Sequence, residues 1–272
     1  MDIKIAVLTL VKGRTDALLN LIKGLARNST PILELIIVHM NEDSCVLPVT
    51  PFPVRSLTLY SEEKLPLAKA RNLAMAQTTA SHCVFLDVDC IPAENFIAAY
   101  RKAFMTKDCL WSGHVRYLRA GFPGLLEKTV LDQWSDADPV RSDLQTIPYE
   151  LFWSLNFGCS TTVFNRIGGF DENYQGYGAE DTDFSFTARL RMVELSLVDA
   201  IAYHQPHASY NPPLNHLEDI VKNAVLFFNK WGRWPMEGWL SKFEGLGFIS
   251  RKDDQLNILK IPAPEDIKKY LK

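Results

Sequence analysis

The stretch Cys83-Val84-Phe85-Leu86-Asp87-Val88-Asp89-Cys90-Ile91-Pro92 decides the fold of this chain. Val84–Leu86 is apolar, bounded and partly β-branched, the pattern of a buried strand. Cys90–Pro92 reads as a turn, with Pro92 ending the extended segment and opening a helix at its first turn. Asp87 and Asp89 stand at i and i+2 just past the strand, so both carboxylates can share one side of the chain. In open α/β sheets the C-terminal ends of the strands are where ligands bind. Hard divalent cations take one or two carboxylates together with substrate phosphates, so the position suits a metal–diphosphate site. Taken alone, such a pair more often marks only a solvated turn.

The flanking sequence supplies the context. Ile3–Leu10 reads as a strand. Thr15–Ala26 reads as a helix with apolar residues at 18, 19, 21, 22 and 25. Leu33–Met40 is a second strand, Pro66–Gln77 a helix, Ala93–Phe104 a further helix and Leu110–Leu118 a strand. This order predicts an α/β fold with a mostly parallel central sheet flanked by helices. Residues 119–150 carry few periods and several Pro, Gly and Asp residues; they read as a lid or substrate loop, or as plain disorder. A second block follows, with a strand over Phe157–Phe164, a turn at Gly168-Gly169, a helix over Asp181–Met192 and a strand from Leu195 through Ala202 to His204. His216–Trp231 is an amphipathic helix, and a short helix is expected near Pro264–Leu271. The expected layout is one sheet-bearing domain over 1–210, with a nucleotide-binding half (1–118), the loop (119–150) and an acceptor half (151–210). A C-terminal helical extension occupies 211–272.

The chain has 272 residues, 22% charged, with a net charge of −3. No basic surplus points to nucleic acid. Met1-Asp2-Ile3-Lys4 leads directly into a strand-like run, so no signal peptide is expected, and no apolar stretch suits a transmembrane segment. The five cysteines are odd in number and lack metal-binding spacing, which fits a reducing, cytoplasmic setting better than a disulfide framework. Trp231-Gly232-Arg233-Trp234-Pro235-Met236-Glu237-Gly238-Trp239 reads first as core packing, with sugar binding or peripheral membrane contact as the alternatives.

Three further motifs carry chemistry. Gly176-Tyr177-Gly178-Ala179-Glu180-Asp181-Thr182-Asp183 places acids at a helix N-terminus, where they are favourable as caps. A carboxylate there can also deprotonate a hydroxyl within hydrogen-bond reach. His204-Gln205-Pro206-His207 follows a strand; His204 is the first choice for a metal ligand and His207 the reserve. Oxygen and nitrogen ligands with a phosphate favour Mn²⁺ or Mg²⁺ over a closed zinc site. Lys12, Arg14, Lys69 and Arg71 are candidate diphosphate partners; Lys69 reads better as a solvated helix residue, and Arg71 is retained.

These residues resemble a family 2-type glycosyltransferase of the GT-A fold. More narrowly, they are similar to bacterial relatives of β-1,4-galactosyltransferases and polypeptide N-acetylgalactosaminyltransferases. The resemblance runs over roughly residues 3–245 and is carried by Phe85–Asp89, Asn156-Phe157-Gly158, Ile167–Glu172 and Gly178–Phe184. It implies a nucleotide-diphosphate sugar donor, with UDP the expected nucleotide, contacted by Thr9, Leu10, Arg14, Asn41, Arg71, Asp87, Val88 and Asp89. It implies a metal held by Asp87, Asp89 and His204, and an acceptor region at Asn156, Gly158, Tyr177, Gly178 and Glu180. Asp181 is the implied base, with Glu180 beside it. Two departures stand out. Asn41-Glu42-Asp43 replaces the paired aspartates that often read the nucleobase, and Asn156 stands where a galactosyltransferase has Tyr.

The expected reaction is a single inverting displacement in which a hexose or N-acetylhexosamine moves to a hydroxyl of a carbohydrate, lipid-linked or protein acceptor. A nucleotide-sugar-forming nucleotidyltransferase is the first alternative, but Thr9–Arg14 carries a single glycine where a glycine-rich phosphate loop is needed. A non-catalytic sugar- or nucleotide-binding protein is the second, and retention of both acidic pairs counts against it.

Overall fold

The computed structural model describes residues 3–63 and 65–271; Met1 and Asp2, on which the N-terminal reading partly rests, lie outside the described residues, as do Lys64 and Lys272. The elements in order are β1 (Ile5–Val11), α1 (Thr15–Ala26), β2 (Glu34–Met40), β3 (Val54–Leu59), α2 (Leu67–Ala76), β4 (His82–Leu86), β5 (Cys90–Pro92), α3 (Phe96–Phe104), β6 (Leu110–Leu118), α4 (Lys128–Gln133), β7 (Ser135–Ala137), β8 (Asn156–Ser160), α5 (Thr161–Ile167), α6 (Glu180–Leu190), β9 (Leu195–His204), α7 (Leu217–Trp231), α8 (Glu237–Gly245), β10 (Ile249–Lys252), β11 (Gln255–Ile258) and α9 (Pro264–Lys268).

One nine-stranded sheet carries both halves in the order β3-β2-β1-β4-β8-β6-β9-β5, with β7 paired to β6. β3, β2, β1 and β4 run parallel, as the β-α-β-α pattern requires. Beyond β4 the direction changes: β8 is antiparallel to both β4 and β6, and β5 is antiparallel to β9. The sheet is therefore more mixed than the expected mostly parallel one. The switch between β4 and β8 opens the crevice into which the C-terminal end of β4 delivers Asp87.

Helices cover both faces. Leu18, Leu21 and Ile22 of α1 and Phe96, Ile97 and Tyr100 of α3 pack on one face. Small residues of α2 and the aromatics Phe157, Phe164, Phe170 and Phe184 fill the other. Phe85 stacks on Phe157 at 4.6 Å, and Phe170 on Phe184 at 4.2 Å, so β4, β8 and α6 share one aromatic core beneath the Asp87 end.

Several expected boundaries move for physical reasons. Cys90–Pro92 is not a turn but the edge strand β5, which pairs with Ala202–His204. Proline, lacking an N–H, is tolerated at a sheet edge. The strand expected over Phe157–Phe164 stops at Ser160, whose hydroxyl accepts the Val163 N–H at 3.0 Å and starts α5. β3 was not anticipated; it is a half-exposed edge strand preceded by Pro51 and Pro53. The 119–150 segment is partly ordered by α4 and β7, with Leu131 packed beside Ile91 and Tyr203. The extension is not wholly helical, because β10 and β11 form a hairpin within it.

Candidate active site

β5 pairing on β9 assembles the first corner of the site. The pairing sets Cys90 opposite His204, and the Gln205 N–H donates to the Asp89 carbonyl at 2.7 Å. The Asp89 carboxylate then faces His204 Nε2 at 3.4 Å, His207 Nε2 at 3.4 Å and the Arg14 guanidinium at 2.8 Å. One donor atom each from Asp89, His204 and His207 lies within 4.8 Å of the others. Burial lowers the His204 pKa and favours the neutral imidazole, the form that ligates metals. One carboxylate and two imidazoles suit a divalent first-row cation with open positions for other oxygens. Both histidines join this group, so His207 is a full member rather than a reserve. Asp87, expected as a ligand, does not converge with them. Gln205 is the positioning residue that sequence reading passed over: it accepts from Asn20 Nδ2 at 2.8 Å and donates to the Ala17 carbonyl at 3.1 Å, fixing the His204–His207 segment to α1.

The second corner is acidic. Asp87 and Asp181 keep partial solvent contact, yet desolvation pushes both carboxyls up to about 7. The neighbouring Glu180 and Asp181 raise Asp87 further, and Glu180 raises Asp181, while the Arg71 charge lowers both. Arg71 pairs with Glu180 at 3.1 Å, both side chains being almost fully buried. Arg71 is thus an internal counter-ion of the acidic corner, and its guanidinium sits over the Phe170 ring at 5.0 Å. Asp181 Oδ1 accepts the Thr182 N–H at 2.7 Å, which fixes the carboxylate at the start of α6. Ala179, in the left-handed region at φ 71°, precedes Glu180 as the helix cap, and no side chain caps this helix. The acids are therefore not serving as N-cap residues, which leaves their charge for other use.

Other expected site residues fall elsewhere. Asn156 is 1% exposed; its Oδ1 accepts from the Tyr100 hydroxyl at 2.7 Å and its Nδ2 donates to the His114 and Ala200 carbonyls at 3.0 Å. It ties strands together inside the sheet and does not face an acceptor. Gly158 is likewise internal, since a Cβ there would meet Tyr100 at 2.9 Å. The Leu10 and Val88 side chains belong to the core. Thr9 is buried at the end of β1 with an unpartnered hydroxyl. Asn41, at φ 54°, holds a turn by accepting the Ser61 N–H at 2.7 Å and donating to the Glu63 carbonyl at 2.6 Å. Lys69 pairs with Glu63.

The extension braces the Gly176–Asp183 segment from outside. Asn223 of α7 donates to the Gln175 and Gly178 carbonyls, each at 2.9 Å. Gly178 has φ 99°, a backbone conformation that favours glycine, and a Cβ there would crowd the flexible Met236 side chain, with Sδ at 2.9 Å. The Tyr177 ring stacks on His216 at 4.5 Å and lies 6.0 Å from Trp239. Its hydroxyl feels Glu180, Asp181, Asp87 and Asp89, which together with burial raise its pKa. Tyr177 therefore spans from the extension to the acidic corner.

Asp183, the last acid of the motif, is structural. It accepts from the Trp231 indole at 2.7 Å, the Tyr174 hydroxyl at 3.1 Å and Lys230 at 2.9 Å. Breaking a buried pair typically costs 3–5 kcal/mol; the Lys230 side chain is 36% exposed, so Asp183→Ala is expected to cost about 3 kcal/mol. Urea unfolding checks this, and a loss under about 1 kcal/mol would remove Asp183 from the role.

Comparison with known proteins adds the family context. Residues 144–207 match the family model described as the N-terminal domain of galactosyltransferase. That span contains the start of α6, the acidic motif and both histidines. No curated protein matches the chain. Among solved structures, the crystal structure of S. aureus TarS 1-349 matches with a TM-score of 0.56 at 17% identity, covering 84% of this chain and 66% of that one. Its complex with UDP-GlcNAc matches at 0.54 and 15% identity, covering 84% and 67%. GalNAc-T7 with UDP, GalNAc and Mn²⁺ matches at 0.53 and 11% identity, covering 75% of this chain and 44% of that one. The chain thus spans about two thirds of the TarS fragment and under half of the GalNAc-T7 chain. No helix of the described residues is long and apolar enough to cross a membrane. The solved structures thus share the GT-A fold with this chain, and its residues 144–207, which hold the acidic motif, are similar to the N-terminal domain of galactosyltransferase.

Proposed function

We propose that the chain transfers a hexose or N-acetylhexosamine from a UDP-sugar to an acceptor hydroxyl, with inversion and with a divalent cation, Mn²⁺ or Mg²⁺. The observation that carries this reading is the meeting of two unlike corners at one end of the sheet: Asp89, His204 and His207 on one side, Glu180 and Asp181 on the other. Asp89, His204 and His207 would hold the cation, which when bound offsets charge on the diphosphate. Arg14 contacts the same carboxylate and is placed to meet a phosphate oxygen as well. Asp87, within electrostatic reach of both corners, faces the sugar and ribose side of the donor. Asp181 takes the proton from the acceptor hydroxyl, and Glu180, neutralised by Arg71, accepts hydrogen bonds from the acceptor. Tyr177 lines the acceptor side, stacked on His216. The UDP and UDP-GlcNAc complexes of structures sharing this fold support a uridine donor.

The pH dependence follows from Asp181. A base must be deprotonated to act, and its pKa is raised to about 7 in the free protein. The kcat/KM for UDP release from a UDP-sugar with Mn²⁺ should therefore rise roughly tenfold per pH unit up to about 7 and level off above it. Measurement from pH 5.5 to 9 tests the function and the base together. A profile that is flat between pH 5.5 and 8 would sink the base assignment, and no release with any UDP-sugar would sink the function.

A further inference from the structure

Arg14 already holds the carboxylate that a cation would need. Its Nη1 donates to Asp89 Oδ2 at 2.8 Å, and His207 Nε2 faces that same oxygen at 3.4 Å. His204 Nε2 faces the other oxygen, Oδ1, at 3.4 Å. Both oxygens of this nearly buried carboxylate are therefore engaged. An imidazole ligates through a lone pair and brings no negative charge. Asp89 is thus the one anion among the three grouped donors, and the Arg14 guanidinium neutralises it.

The main chain fixes where the Arg14 side chain begins and leaves the side chain itself free to move. The Arg14 carbonyl accepts the Leu18 N–H at 3.0 Å and starts α1. Gly13 before it has φ 62° and donates its N–H to the Glu42 carboxylate. The Arg14 side chain is 34% exposed. Its one ion pair among the described residues is with Asp89, so a guanidinium that leaves Asp89 needs another anion. Arg71, the arginine of the acidic corner, is by contrast buried against Glu180.

Two positive partners thus compete for one carboxylate. A divalent cation drawing on Asp89 brings its charge beside a guanidinium and deprives that guanidinium of its counter-ion; both effects oppose binding. A diphosphate reverses both, because its oxygens ligate the cation and offer the guanidinium a new partner. We infer that Arg14 is an exchangeable counter-ion, which holds Asp89 against a cation alone and yields it when a diphosphate takes the guanidinium. Cation and nucleotide diphosphate then load together, each strengthening the other by the same factor. The inference rests on the metal–diphosphate reading of this corner and adds to it the residue that couples the two ligands.

The test measures binding to the full chain: Mn²⁺ alone by electron paramagnetic resonance, and UDP with and without Mn²⁺ by calorimetry. Arg14→Gln removes the charge. It should bind Mn²⁺ alone about tenfold more tightly than wild type, the change that a hydrogen bond between charged groups commands. The same variant should bind UDP more weakly in the presence of Mn²⁺. The factor by which Mn²⁺ strengthens UDP binding should fall at least about tenfold. Arg14→Lys keeps the charge and should bind Mn²⁺ alone as wild type does. A merely structural role for Arg14 would instead weaken both complexes together. If Arg14→Gln binds Mn²⁺ alone no more tightly than wild type, the exchange is overturned and the metal site still stands. If wild type binds no Mn²⁺ with UDP or without it, the metal reading falls and the exchange falls with it.

Discussion

Asp181→Asn is expected to lower sugar transfer by about 10²–10⁴-fold, the range lost with a positioned general base, while Mn²⁺-dependent UDP binding stays near the wild-type value. Asparagine keeps an oxygen for the Thr182 N–H, which Asp181 now accepts at 2.7 Å, so the start of α6 should persist. The charge is what disappears. Its removal has a second consequence. The folded-state pKa of Asp181 is raised from 3.8 to about 7, so the folded chain binds that proton more tightly than the unfolded chain. The stability linked to this proton is fully present below the unfolded pKa and is lost as pH rises through about 7. At pH 8 the wild type carries the charge against Glu180 and burial, and the variant does not. The variant's melting temperature at pH 8 should therefore equal or exceed that of the wild type. Low transfer with a stable fold separates loss of the base from loss of structure. Near-normal turnover would remove Asp181 from the base role.

Asp89→Ala should act on the other corner. Its carboxylate is the anion shared by His204, His207 and Arg14, with an exposure of 11%. Without it the two imidazoles and the guanidinium face one another without a counter-charge, and no oxygen ligand remains in the group. Loss of partners one shell removed from a metal typically costs 10–100-fold in affinity, so loss of a ligand should weaken Mn²⁺-dependent UDP binding by at least about a hundredfold. The Asp89 backbone carbonyl would still accept from Gln205, so β5 and β9 should stay paired. Calorimetry with UDP and Mn²⁺ reads this directly, and an unchanged affinity would refute the metal assignment.

The core of the site was legible where periodicity and chemistry coincide. Val84–Leu86 is an unbroken apolar run, and the acids that follow it can lie only at its end. The β-α-β-α order then places that end among other strand ends. Features resting on pairing between distant segments were hidden. Cys90–Pro92 looks like a turn because its partner, Ala202–His204, lies more than a hundred residues away. β3 is half-exposed and short of apolar residues. Asn156 sits in a motif that the resemblance assigns to the acceptor region, but strand alternation points it at Tyr100. Arg71 reads as a diphosphate partner because nothing in its local sequence announces Glu180, 109 residues further on. Gln205 lies inside the His204–His207 motif without a role of its own there, and Asn223 lies in no motif; their roles exist only in the folded chain.

The claim that one site is made of two separable corners is tested most directly by a paired titration. UDP is titrated with and without Mn²⁺ into wild type, Asp181→Asn and Asp89→Ala, and UDP release from a UDP-sugar is measured on the same samples. The account predicts that Asp181→Asn keeps metal-dependent binding and loses release, while Asp89→Ala loses both. It would be contradicted if Asp89→Ala bound UDP with Mn²⁺ as wild type does, or if Asp181→Asn released UDP at the wild-type rate.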